Sequence, residues 1–123
     1  MQLNHLNLCV DNLAEARDLF QRCFDFQFLD QKGDAIAVMT DGQGFTLVLS
    51  VPRAFGVETP TIYPEGFHVG FIAENPGQVD QIHRRLAAAA DIHIDHEPRK
   101  IRESYTFYFT ALNAILFEVS CPL

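Results

Sequence analysis

Three side chains in this sequence carry chemistry that packing alone does not explain: His5, His68 and Glu118. His68 sits near the start of the apolar run Phe67-His68-Val69-Gly70-Phe71-Ile72. Strand alternation puts His68, Gly70 and Ile72 on one face of it and the bulky Phe67, Val69 and Phe71 on the other. A face with one imidazole and one glycine leaves room for another group to approach. His5 lies in a similar run, 3–10, where it shares a face with Asn7 and Cys9. Glu118 is set among Leu116, Phe117 and Val119, where a carboxylate is costly to bury unless something positive neutralises it. Two imidazoles and one carboxylate hold a first-row divalent metal and leave coordination sites open for water or a bidentate oxygen substrate. Taken singly, each histidine reads more readily as a hydrogen-bonded structural residue, and Glu118 has a rival partner in Arg102.

An internal repeat brings the three together. After the first strand, Asp11-Asn12 offers a helix cap with Glu15 three residues later. Leu13, Ala16, Phe20, Cys23 and Phe24 then recur at helical spacing, which predicts an amphipathic helix to about Phe24. Strands are expected at 27–30, 35–40 and 45–51, separated by the turn-forming Lys32-Gly33-Asp34 and Asp41-Gly42-Gln43-Gly44. The stretch 52–66, rich in proline, has no sustained period and reads as a connector. The pattern then restarts: the His68 strand, a cap at Asn75-Pro76, a helix carrying Val79, Ile82, Leu86 and Ala89, and strands at 92–94, 105–109 and 115–120. Laying His5 on His68 superposes the helices, and laying the last strands together puts Val48 where Glu118 stands. A pseudo-twofold then yields four equivalent positions, His5, Val48, His68 and Glu118, three of them of metal-ligand type.

Composition narrows the partners. The chain has 123 residues, 48% of them hydrophobic, with 16 acidic against 9 basic residues and a formal charge of -7. Polyanions are repelled by that balance, so neither nucleic acid nor an anionic membrane surface is an expected partner. No apolar run approaches the roughly 20 residues of a membrane span. Three cysteines, an odd number, and no apolar leader before the first strand point to a reduced cytoplasmic protein.

Three segments carry a family resemblance: Asn4-His5-Leu6, Phe67-His68-Val69-Gly70-Phe71, and Phe107-Tyr108-Phe109 leading to Leu116-Phe117-Glu118-Val119. Through them essentially the whole chain resembles the vicinal oxygen chelate superfamily of glyoxalases, bleomycin resistance proteins and dioxygenases. The resemblance implies one glyoxalase-like α+β domain over 1–123, built of two βαβββ modules (1–51 and 67–123, connector 52–66). Their mixed sheet is expected to form a cup with the helices outside. It further implies His5, His68 and Glu118 as ligands of a divalent metal ion (Zn, Ni, Mn, Fe or Co), a small-molecule substrate with vicinal oxygens, and a homodimer. The activity it implies is of lyase, isomerase or small-molecule transferase type; the alternative is a metal-free, bleomycin-resistance-like binding protein. Two departures stand out. Thr110-Ala111-Leu112-Asn113-Ala114 replaces the DPDGN-like turn that members often carry, and Val48 stands where glyoxalase I has a glutamate, which argues against that enzyme itself.

Substrate contacts follow from the last hairpin. If 111–114 form its loop, Phe107 lies opposite Glu118 and Tyr105 opposite Ser120, which places both rings on the metal-facing side, with core packing an equal reading of both. Arg102 and Tyr63 are candidates from the loops for an anionic or carbonyl group. No residue stands out as a general base. His83, His93 and His96 read as helix-surface and strand-edge residues, and Cys9 as a small buried thiol.

Overall fold

Each half of the chain begins with a strand and a capped helix. The computed structural model of the protein describes all residues, 1–123. Strand β1 (His5–Cys9) leads into helix α1 (Leu13–Phe24), whose Asn12 side chain accepts from the Glu15 backbone N–H and satisfies a donor the first helical turn would leave open. Asp25 ends the helix in the left-handed region at φ 58°. Strand β5 (His68–Ile72) leads in the same way into α2 (Pro76–Ala87), where Asn75 caps the Gln78 N–H and Pro76 occupies the first turn. Neither helix is long and apolar enough to cross a membrane.

The chain divides into two compact units, Met1–Ile62 and Tyr63–Leu123. The first holds β2 (Gln27–Lys32), β3 (Ile36–Thr40) and β4 (Thr46–Ser50) in a four-stranded sheet of order β1-β4-β3-β2, in which only the β1–β4 pair is parallel. The second has β6 (His93–Ile94), β7 (Arg99–Ile101), β8 (Ser104–Ala111) and β9 (Ile115–Pro122). Its sheet runs β5-β9-β8-β6, with β7 also paired to β8, and here only β5–β9 is parallel. The α+β class and the βαβββ plan are therefore as the sequence implies, with one mixed sheet in each unit.

Within each unit the helix packs against one face of its own sheet, and bulk is distributed in opposite ways. In the first, small and aliphatic strand residues (Ala37, Met39, Leu47, Leu49) meet a helix carrying Phe20. In the second, the strands supply Phe107, Phe109 and Phe117, and α2 supplies Val79, Ile82 and Leu86. Phe109 and Phe117 stack at 4.9 Å between ring centroids. Large side chains on one layer thus face smaller ones on the other, the arrangement that lets two layers interdigitate.

The hairpin β8–β9 differs from expectation. Its loop is the three residues Leu112, Asn113 and Ala114, all at positive φ (55°, 62° and 71°), closed by the pair Ala111 and Ile115. The four-residue loop 111–114 expected from the sequence would have closed one residue earlier. Because strand side chains alternate, that single step moves every β8 side chain to the other face. Tyr108, not Phe107, lies opposite Glu118, and Thr106, not Tyr105, lies opposite Ser120. Phe107 is fully buried among the helix-facing aromatics, and the Tyr105 hydroxyl donates to Asp80 of α2 at 2.6 Å. Placing Phe107 and Tyr105 on the Glu118 face is thus corrected. Strand β7, three residues with two of them basic, is an addition that its polar sequence did not signal.

Candidate metal centre

The second unit brings two of the three expected ligands together. The parallel β5–β9 register sets Gly70 beside Glu118, and His68, two residues before Gly70, projects from the same face. Its Nε2 lies 3.5 Å from Glu118 Oε2. A Cβ at Gly70 would meet only that oxygen, at 4.0 Å and in ordinary contact, so the space in front of the carboxylate is open.

Hydrogen bonding fixes the imidazole's chemistry. His68 Nδ1 lies 2.9 Å from the Gly66 carbonyl oxygen, which can only accept, so Nδ1 carries a proton and in the neutral ring Nε2 keeps the lone pair. Gly66 adopts φ 90°, a conformation that favours glycine, at the turn that presents this carbonyl. With the ring neutral, its Nε2 lone pair and the carboxylate oxygen at 3.5 Å are two acceptors that a positive group between them would satisfy. Two donors of one tetrahedral zinc, each about 2.1 Å from the ion, stand about 3.4 Å apart. The pair therefore fits a metal in donor type and in spacing. The side chains keep 44% (His68) and 26% (Glu118) of their exposure, so an ion and a ligand can reach them.

Tyr108, which the sequence reading passed over, completes this face. It faces Glu118 across β8–β9. Burial pushes its phenol above the usual range, and Glu118 adds to the shift by its charge and by hydrogen bonding to the hydroxyl, while Arg102 pulls the other way. Arg102, exposed in the β7–β8 turn at φ 56°, is thus a charge felt at Tyr108. The His96 ring packs against Tyr108 at 6.2 Å, so His96 is half-buried here and not on a solvated strand edge. The signal that could have found Tyr108 is its spacing from Glu118 under a three-residue loop.

The first unit carries the equivalent frame with other residues. His5 is exposed at the start of β1, and its Nδ1 is 2.9 Å from Asn4 Oδ1, which again leaves Nε2 free. Asn7 occupies the place of Gly70, and Val48 that of Glu118, as the repeat predicted. The Ser50 hydroxyl donates to Asn7 Oδ1 at 2.7 Å, and that of Thr61 to Cys9 Sγ at 3.0 Å. Within either unit taken by itself, no group of three His, Cys, Asp or Glu side chains stands at metal-holding spacing. A cleft of about 610 Å3 in the first unit is lined by residues of α1, β2 and the segment after β4, with Arg17 and Arg53 among them, and does not include His5.

Residues 2–119 match the family model described as the Glyoxalase/Bleomycin resistance protein/Dioxygenase superfamily. The chain belongs to that superfamily. Among solved structures it is similar to a possible glyoxalase from Bacillus cereus, at 36% identity over 98% of this chain and 99% of that one, with a TM-score of 0.81. Two more distant structures share the superfamily fold. Lactoylglutathione lyase from Agrobacterium tumefaciens is 19% identical with a TM-score of 0.75, covering 98% of this chain and 92% of that one. A genomically encoded fosfomycin resistance protein from Listeria monocytogenes is 18% identical with a TM-score of 0.76, covering 99% and 91%. No curated protein matches the sequence.

Proposed function

We propose that this superfamily member is a divalent-metal-dependent enzyme whose metal is held by His5, His68 and Glu118 and whose substrate is a small molecule with two adjacent oxygens. The observation that carries the reading is the pairing of His68 Nε2 with Glu118 Oε2 at 3.5 Å, with the opposite ring nitrogen committed to Gly66. His5 joins as third ligand because it holds the repeat-equivalent place and has its own Nδ1 engaged in the same way. Imidazole and carboxylate donors suit zinc, nickel, manganese, iron or cobalt. The metal, when bound, supplies Lewis acidity toward an enediolate or alkoxide.

The chain's own residues do the rest. The Gly66 carbonyl fixes the tautomer of His68, Gly70 leaves the face in front of Glu118 open to substrate, and Arg102 offers a positive charge at its edge. The lactoylglutathione lyase and the fosfomycin resistance protein among the similar structures favour lyase, isomerase or transferase chemistry. The reading includes a homodimer. It is tested by metal content, measured by mass spectrometry on untagged protein after dialysis against trace divalent ions, for the wild type beside Glu118→Gln. Near-stoichiometric metal in the wild type and its loss in the variant support the reading. No metal in either overturns it in favour of a metal-free small-molecule-binding protein.

A further inference from the structure

We infer that Tyr63 is a positioning residue for His68: its ring, stacked on Phe67, clamps the turn whose Gly66 carbonyl holds the imidazole with Nδ1 protonated. The consequence for metal binding rests on the function proposed above; the positioning itself does not.

The imidazole is held by the chain just before it. The Phe67 backbone N–H donates to the Pro64 carbonyl at 3.1 Å, which closes a turn over Pro64, Glu65, Gly66 and Phe67. Gly66 is its third residue, at φ 90°, a backbone that a side chain would strain. From that position its carbonyl oxygen reaches His68 Nδ1 at 2.9 Å. Pro64, Glu65 and Gly66 are exposed, so no core packing shapes the turn at these residues. Its two flanks are joined instead. Tyr63 precedes the turn and Phe67 ends it, and their half-buried rings lie nearly parallel, at an interplanar angle of 13° with centroids 4.4 Å apart. Phe67 leads directly into β5, which is fixed by its pairing with β9. A ring stacked on that fixed end restrains the turn, and the turn restrains the carbonyl.

The first unit holds its histidine by other means. His5 Nδ1 is engaged at 2.9 Å by the side chain of its neighbour Asn4. Two residues before His5, where Gly66 stands relative to His68, is Leu3, 86% exposed. A side-chain amide turns about its own torsions, whereas a carbonyl inside a closed turn moves only with the main chain. The imidazole that faces Glu118 is therefore the one held by a braced backbone group.

The test reads the His68 tautomer by NMR of nitrogen-labelled imidazole in the metal-free full chain, in alkaline buffer where imidazoles are neutral. The His68 signals are identified by their loss in His68→Gln. Wild type is expected to show the Nδ1–H form. Tyr63→Ala removes the ring and is expected to give a mixture of Nδ1–H and Nε2–H, with zinc affinity, by competition with a chromogenic chelator, falling about 10- to 100-fold. Tyr63→Phe keeps the stack and is expected to keep the wild-type tautomer and affinity. Gly66→Ala strains the turn without a clash, since a Cβ there meets nothing within 4 Å; it is expected to reproduce Tyr63→Ala and serves in its place if that variant does not fold. Gly56→Ala, equally open at φ 76° but in the first unit, carries the same kind of backbone strain and is expected to leave the His68 tautomer unchanged, which separates positioning from lost stability. Nδ1–H alone in the folded Tyr63→Ala or Gly66→Ala variant overturns the inference, and so does a Tyr63→Phe that behaves like Tyr63→Ala. A wild type that binds no zinc overturns the proposed function instead, while the tautomer still decides the role of Tyr63.

Discussion

Phe107→Ala puts the β8 register to its sharpest test. In the observed register the ring is fully buried on the helix side, with the His83 ring edge-on at 5.2 Å and Phe109 at 6.1 Å. Truncating such a phenylalanine removes its transfer energy and leaves a cavity, a loss of about 3–5 kcal/mol. With roughly 2.1 cal/mol/K of unfolding entropy per residue, the 123-residue chain unfolds with about 0.26 kcal/mol/K. The midpoint should then fall by roughly 12–19 °C. That is a large share of the roughly 5–15 kcal/mol by which a domain is stable. The assay is thermal unfolding by circular dichroism, paired with zinc affinity of the folded variant. In the alternative register the ring would lie beside Glu118 on the open face, its loss would cost about 1 kcal/mol or less, and binding would change instead. A midpoint lowered by less than about 4 °C together with altered zinc affinity would refute the register argument.

Two further predictions concern the same hairpin. Tyr105 is pushed above the usual phenol range first by its hydrogen bond to Asp80, then by burial. Its folded value lies above the unfolded one, so the stabilisation is present below about pH 10 and is lost as pH rises through the folded value. Urea midpoints should fall above about pH 10 in the wild type and fall less in Tyr105→Phe; identical alkaline profiles count against the Asp80 bond. Ala114 sits at φ 71°, where an L residue is strained by about 1 kcal/mol or more, so Ala114→Gly should raise the midpoint by roughly 2–4 °C, and a lowered midpoint would show that the loop is not strained there.

Much of the architecture is legible in local patterns. The two helices announce themselves by their caps, Asn12 before Glu15 and Asn75 before Pro76, and by their apolar stripes. The repeat that sets His5 on His68 and Val48 on Glu118 matches the strand pairings position for position. Strand β7 was not legible, because three residues with two basic side chains give no alternation to read. His96 was misread for a related reason: its polar neighbours describe the segment, and only the packing of Tyr108 describes the ring.

The order of strands and helices apart from β7, the duplication and the candidate ligands were determined by the sequence itself, since periods of two and of about 3.6 and the cap residues act over a few positions. Which face of β8 meets Glu118 was decided only by the tertiary structure. The loop that sets it places Leu112, Asn113 and Ala114 at positive φ with no glycine to mark the turn, and one residue more or less exchanges Phe107 for Tyr108. The approach of His68 to Glu118 is likewise tertiary. It depends on parallel pairing between strands distant in the chain, and that register goes with packing half-buried Phe71 and buried Phe107 and Phe117 on the far side of the sheet, away from the residues it brings together.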